Sequence, residues 1–435
     1  MPMSRNPYGA NPGGGISLSH EYRPTPSVTN RNYFPANEPL ARGEMRISFA
    51  GSTPWPPTLS QSGTAIMVEL GTGEFMPRRF FFDMGNGSVK NILGLGVLPM
   101  AINDIFISHL HVDHYHDLIY MLPFTATMGR FTPLRVYGPS GARPDLGMAN
   151  MVQKMREMLV WHIENFEHCP IGDGCEVDCT EFDWQDENGV CYDQEGVTVR
   201  HWPRSHVKDG ASAYRLDWEE GDMSFVWTGD GRPDEKTVQY SQGVDVFVSE
   251  GQVDLPAIIA MKWGTPDFMT EYTIDTYHTP LYAAGKMFSE VNPRLAMVTH
   301  TNYEEELMGE SVAEVRQHWD GMFMFGAPDV MVVNVTKDAI WARKAAIPPG
   351  AASGSMDPRA MFPPDQMPDK LRLPDPARPR EAQQEQFLRD MEIDPHSYYP
   401  PDADRHVSNV WPDEGIEMDV AQLLRAKGVD VDGGD

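Results

Sequence analysis

Ser108-His109-Leu110-His111-Val112-Asp113-His114 constrains this chain more than any other feature. It follows directly on the apolar run Ile105-Phe106-Ile107, so a buried strand leads into a turn that projects three imidazoles and a carboxylate. Packing does not explain such a turn, because polar and ionised groups are costly to bury unless something pairs with them. Imidazole nitrogen and carboxylate oxygen are the ligand types that hold Zn²⁺ at about 2.0–2.2 Å. Two histidines alone would carry little weight, since short motifs recur by chance. H-x-H-x-D-H at the end of a strand points to a metal.

The surrounding pattern is that of an α/β protein. From Met45 onward, MRISFAGS, TAIMVEL and RRFFFDMGNG read as three short strands, the last closing in a Gly-rich turn. LRVYGPSG, GVTVRHWPRSH, SAYRLDW, MSFVWTGD, DVFVSEG, RLAMVTH and DVMVVNVTKDAIWARK are further strand candidates, several ending in polar residues that one sheet rim would present. Apolar residues recur at helical spacing over 145–168 and again over 280–291. The methionines of 145–168 serve equally well as core packing or as the apolar wall of a substrate pocket.

Three segments are expected: an extended arm at 1–43, a globular domain at 44–345 with an insertion at 143–200, and a Pro-rich, acidic tail at 346–435 with one short helix near 417–426. Prolines at 348, 349, 363, 364, 368 and 374 suit an extended strap across a neighbouring subunit, so a homodimer or higher homo-oligomer is expected. Lys and Arg number 35 against 63 Asp and Glu, a net charge of −28, and this field repels polyanions. Nucleic acid is therefore an unlikely partner on charge, and a small-molecule substrate is expected. No run approaches the roughly 18 apolar residues of a membrane helix, and the first thirty residues lack a signal peptide's apolar stretch, so the expected location is the cytoplasm. Cys169, Cys175, Cys179 and Cys191 lack the paired C-x2-4-C knuckles of a structural zinc module. Two disulfides are the first reading, with free thiols or a small metal site as alternatives; disulfides would place the chain in the periplasm or outside the cell.

The His motif resembles the signature of the metallo-β-lactamase superfamily, and the resemblance extends over about residues 45–345, through ISFAGSTPWPP, FFFDMGNG, PRSHVKDGASAYR, VWTGDGRP and LAMVTHTNY. It implies an αββα sandwich with two divalent metal ions at one rim. His109, His111 and His206 would hold one ion, Asp113, His114 and His300 the other, and Asp230 would bridge them. His116 and His201 compete for ligand roles, but their positions suit structural ones. FVSEG with Glu250 and YHTPLYAAGKMF with His278 resemble the ribonuclease Z and arylsulfatase branch, in which a Glu–His dyad protonates the leaving group. That branch commonly carries a long basic exosite arm between the positions of His206 and Asp230. Here the interval is short, and the arm is missing.

The implied activity is hydrolysis of a phosphodiester, sulfate ester, carboxylic ester or lactone by a metal-bound hydroxide. Asp113 would orient the nucleophile, while His278, held by Glu250, would donate a proton. Zinc is the expected metal, with iron or manganese as alternatives. Two other activities stay open: an iron-dependent oxygenase or redox enzyme on the same fold, and a tRNA 3'-processing endoribonuclease.

Overall fold

Strands follow one another so that each sheet is laid down in turn. The first sheet receives β1 (Asn32–Tyr33), β2 (Met45–Gly51), β3 (Ala65–Leu70), β4 (Arg78–Phe82), β5 (Asp104–Phe106), β6 (Leu134–Pro139) and β7 (Val177–Phe182). The second receives β8 (Gly189–Gln194), β9 (Val197–Pro203), β10 (Ser212–Trp218), β11 (Met223–Trp227), β12 (Val246–Glu250), β13 (Leu295–Thr299) and β14 (Phe323–Phe325). The chain then returns to the first sheet with β15 (Met331–Val335) and β16 (Ile340–Ala345). The spatial orders are β1-β16-β15-β2-β3-β4-β5-β6-β7 and β14-β13-β12-β11-β10-β9-β8. These facts come from a computed structural model that describes residues 32–347 apart from 34, 36–37, 55, 75, 167–170, 254–259, 262–263 and 265. The expectations for the first 31 residues, for Cys169 and for the tail with its helix near 417–426 lie outside the described residues.

Period-two alternation explains why the sheets stack. Met45, Ile47 and Phe49 of β2, Ile66, Val68 and Leu70 of β3, and Phe80 and Phe82 of β4 face Phe225, Trp227, Val246, Val248, Leu295 and Met297 of the other sheet in one buried layer. Their neighbours Ala65, Met67 and Phe81 turn the other way, beneath helices. The helices are α1 (Ser88–Gly94), α2 (Val112–Tyr115), α3 (Asp117–Thr127), α4 (Met148–Met158), α5 (Val160–Asn165), α6 (Glu235–Tyr240), α7 (Asp267–Tyr277), α8 (Leu281–Val291) and α9 (Met308–Arg316). Residues of α1, α3 and α4 cover the first sheet, and residues of α8 and α9 cover Phe247, Ala296 and Val298 of the second. The layers run helix, sheet, sheet, helix: the αββα sandwich.

Two stretches differ from the sequence reading. The periodicity of 145–168 breaks at Leu159 into α4 and α5, and Met148 and Met155 are buried against the first sheet, so they pack the core. The Cys-bearing stretch supplies β7, which extends the first sheet parallel to β6, and β8, which pairs with β9. Both lie at sheet edges, and their half-exposed patterns dilute the apolar alternation by which a strand is recognised. Cys175, Cys179 and Cys191 are free thiols, so the disulfide expectation fails for the described cysteines. Among the described residues, no helix is long and apolar enough to cross a membrane.

In each sheet an antiparallel set gives way to a parallel one: β4 to β7 in the first, β11 to β14 in the second. Open sheets with parallel strands gather functional groups beyond the strands' carboxyl ends. Phe82 ties the two sheets together there, its ring 5.2 Å from both Phe106 and Phe225. Phe82→Ala is expected to lower the stability by about 3–5 kcal/mol, seen as a lower urea midpoint with an unchanged slope. A loss below about 1 kcal/mol would contradict this packing account.

Candidate metal centre

Five strand ends and one helix end deliver the predicted residues to one place. His109–His114 follow β5, His206 follows β9, Asp230 follows β11, Glu250 closes β12, His300 follows β13, and His278 caps α7. The turn after β4 packs beneath them so tightly that a Cβ on Gly85 would stand 2.1 Å from the carbonyl oxygen of Asp113. Only glycine fits there.

His109 Nε2 lies 2.9 Å from His111 Nδ1, which is 3.2 Å from His206 Nε2. Asp113 Oδ2 lies 3.5 Å from His114 Nε2 and 3.3 Å from His300 Nε2. Between these groups, Asp230 Oδ2 is 3.8 and 3.9 Å from His109 and His206, and 3.4 and 3.3 Å from His114 and His300. Ligand atoms on a tetrahedral ion with bonds near 2.05 Å stand about 3.3 Å apart, so both sets have a spacing that a metal fits. His278 Nδ1 sits 2.7 Å from Glu250 Oε2, whose other oxygen accepts the backbone N–H of Gly231 at 2.7 Å. His116 lies outside the cluster, paired with Asp117 at 3.2 Å, and His201 is buried under Phe182 at 3.6 Å between ring centroids.

The hydrogen bonds around the rings fix which nitrogen faces inward. His206 Nδ1 donates to the carbonyl of Tyr277 at 2.7 Å, and His114 Nδ1 donates to Asp83 Oδ2 at 2.8 Å. Each Nε2 therefore presents a lone pair to the cluster. His114 Nε2 and Asp230 Oδ1 are buried and have no hydrogen-bond partner, as donors reserved for a cation would be. Burial holds His109 well below the usual imidazole range and His206 down at about 4, so both stay neutral ligands at neutral pH. Burial also opposes charge on His300, but Asp230 and Asp113 outweigh it and lift that ring to about 10. Burial opposes ionisation of Asp230 too, and the His300 and His114 rings hold it well below the carboxylate range. A field that retains a proton in this way equally retains a metal cation.

Asp83 escaped the sequence reading although FFFDMGNG was singled out. Its Oδ2 accepts from Ser108 Oγ at 2.9 Å and Trp227 Nε1 at 2.8 Å, and its Oδ1 accepts the Ser108 N–H at 2.7 Å, so it sets the His114 ring against the whole motif. Asp83 and His300 both adopt left-handed backbone, with φ of 62° and 48°, a strain that surrounding packing must sustain. A strand end with positive φ at a non-glycine residue leaves no mark in composition or periodicity.

A cluster of this chemistry on an αββα sandwich defines a metal-dependent hydrolase. The profile described as "Beta-lactamase superfamily domain" matches residues 78–301, and the chain belongs to that family. It is 24% identical to a protein named Ribonuclease Z from Pyrococcus furiosus over 324 residues, 66% of this chain and 98% of that one. It is likewise 24% identical to a Ribonuclease Z from Methanosarcina acetivorans over 286 residues, 59% of this chain and 87% of that one. Among solved structures it is similar to the metallo-beta-lactamase fold protein YhfI from Bacillus subtilis, with a TM-score of 0.48, 16% identity, and coverage of 69% of this chain and 99% of that one.

These relatives correct the expectation that nucleic acid is an unlikely partner. Proteins aligned over nearly their whole length carry the name of a ribonuclease. Net charge sums the entire chain, whereas recognition depends on the few groups around the site. The short interval between His206 and Asp230 is occupied by a loop and by β10 and β11.

Replacing Asp83 with Ala frees the His114 ring, and its metal affinity is expected to fall about 10- to 100-fold in a chelator competition. An unchanged affinity would remove Asp83 from the account. A second carboxylate braces the His300 side: Asp329 accepts from Ser52 Oγ at 2.8 Å, the Ser62 N–H at 2.7 Å and Asn91 Nδ2 at 2.8 Å. Ser52 in turn accepts the Thr301 N–H at 3.0 Å through its carbonyl. Burial pushes Asp329 up to about 6 despite those donors. A carboxyl with a raised folded-state pKa favours the native state below its unfolded value, and that advantage is lost as pH rises through the folded value. Between about pH 5 and pH 7.5 the wild type should therefore lose about 1 kcal/mol relative to Asp329→Asn in urea unfolding. A difference that stays flat with pH would contradict this.

Proposed function

We propose that this chain is a metal-dependent phosphodiesterase that cleaves RNA, a tRNA 3'-processing type of endoribonuclease. The observation that carries the reading is the reach of one carboxylate, Asp230, to imidazoles of both ligand groups, with the Glu250–His278 pair beside it. Support for the substrate class comes from the ribonuclease Z name of the relatives. His109, His111 and His206 would hold one ion, Asp113, His114 and His300 another, and Asp230 both; the His-rich donor set favours zinc. Bound divalent cations supply Lewis acidity and acidify water toward pKa 7.

The chain's own residues account for the remaining steps. Asp113, whose carboxyl the His114 and His300 rings keep ionised against its burial, orients the attacking water and accepts its proton. As the water oxygen bonds to phosphorus, the phosphorus–oxygen bond to the departing nucleotide breaks. With Nδ1 engaged by Glu250, His278 delivers a proton from Nε2 to that leaving oxygen. The Glu250 carboxylate opposes the effect of burial and raises the His278 pKa, so the ring carries the proton it gives up. The free thiols of Cys175, Cys179 and Cys191 suit a reducing compartment such as the cytoplasm.

Zinc-reconstituted protein is expected to cut a tRNA precursor at its 3' trailer and to hydrolyse a chromogenic phosphodiester. Asp113→Ala should lose metal by elemental analysis and activity with it. His278→Ala should keep its metal and turn over about 10²- to 10⁴-fold more slowly. Protein that retains metal and cleaves the chromogenic diester but leaves RNA intact would overturn the RNA reading. Protein that takes up no metal would overturn the centre.

A further inference from the structure

The metal cluster meets solvent on the side of His111, its exposed member. From there aromatic rings continue outward. His111 and His206 are 4.9 Å apart by ring centroids, His206 and Tyr277 6.4 Å, and Tyr277 and Tyr272 5.3 Å, the last pair edge to face. The two tyrosine hydroxyls are hydrogen-bonded at 2.7 Å, and the Tyr277 carbonyl holds His206 Nδ1 at 2.7 Å. Tyr272 is 57% exposed, and so are Val112 (61%) and Val207 (47%), the residues that follow His111 and His206. Each loop that brings a ligand to the open side thus also turns an apolar or aromatic side chain outward beside it.

The usual neighbours on a helical surface are three or four residues apart, so a ring contact between residues five apart at the end of α7 is not one that regular helix geometry supplies. An exposed Tyr272 ring and a half-buried Tyr277 ring, locked to each other through their hydroxyls and to a cluster histidine through the backbone, form a fixed platform beside the reacting centre. Recognition of RNA by phosphate contacts alone needs clustered Lys and Arg, and between His206 and Asp230 the chain has a loop, β10 and β11 with Lys208 and Arg215 as the only basic residues. Stacking on aromatic rings is indifferent to net charge and to base identity.

We propose that Tyr272 and Tyr277 form a stacking platform for the nucleobase next to the scissile phosphodiester, and that they set substrate affinity in place of a basic arm. The proposal rests on the RNA-cleaving reading of the metal centre. The test uses the full-length chain and a fluorescein-labelled single-stranded RNA made uncleavable by 2'-O-methyl groups, followed by fluorescence anisotropy. Tyr272→Ala and Tyr277→Ala are expected to weaken binding about 5- to 30-fold, with metal content unchanged, and on cleavable RNA to raise KM with little change in kcat. Tyr272→Phe and Tyr277→Phe, which keep the rings and lose only the bond between hydroxyls, should bind within about twofold of wild type. The wild-type to alanine ratio should also persist as salt rises, because stacking releases no counterions. Wild-type binding matched by both alanine variants would overturn the platform and leave the ribonuclease reading standing. A wild-type chain that binds no RNA would overturn both.

Discussion

The carboxylate of Asp230, buried among imidazoles, organises the functional end of this molecule. An ionised carboxylate in a dry interior costs several kcal/mol unless cations or hydrogen bonds compensate it. Here the compensation is a ring of histidines that reach it from β5, β9 and β13. Each element is therefore held to a position that its own packing would not require, and the strain appears at Asp83 and His300. The sandwich tolerates this because its core is independent of the rim: aromatic and aliphatic residues of both sheets interlock beneath it.

Function follows from how the rim divides its labour. Backbone carbonyls and carboxylates behind the histidines fix tautomers, as Tyr277 does for His206 and Asp83 for His114. Glu250 directs one oxygen to Gly231, next to Asp230, and the other to His278, so a single buried side chain positions both the cluster and the His278 ring. Such coupling makes these residues poor candidates for additive mutational effects.

Much of this was legible in the sequence, for physical reasons. The strands that build the central layer read as short, largely apolar runs because both faces of each sheet are buried, and MRISFAG, AIMVEL and LAMVT are strands in the structure. The His motif could be read because nothing else explains three histidines and an aspartate in one turn. The edge strands β7 and β8 were illegible, since one half of each faces solvent and VDCTEF and GVCYDQ show no apolar period. Helix α7, with its exposed Tyr272, was equally hidden: its apolar residues do not keep to one face. Asp83 and Asp329 were missed because an orienting carboxylate is defined only by distant partners. Charge misled at the level of partners, where a whole-chain sum stood in for local chemistry.

Central to the proposed chemistry is a pair of cations that Asp230 would share. X-ray absorption of the zinc-loaded chain addresses that directly. It should give a shell of nitrogen and oxygen at about 2.0–2.2 Å and a metal–metal vector at about 3.5–4 Å, with the vector lost in Asp230→Ala. A sulfur shell at about 2.3 Å, or a metal–metal vector that survives the loss of Asp230, would contradict it.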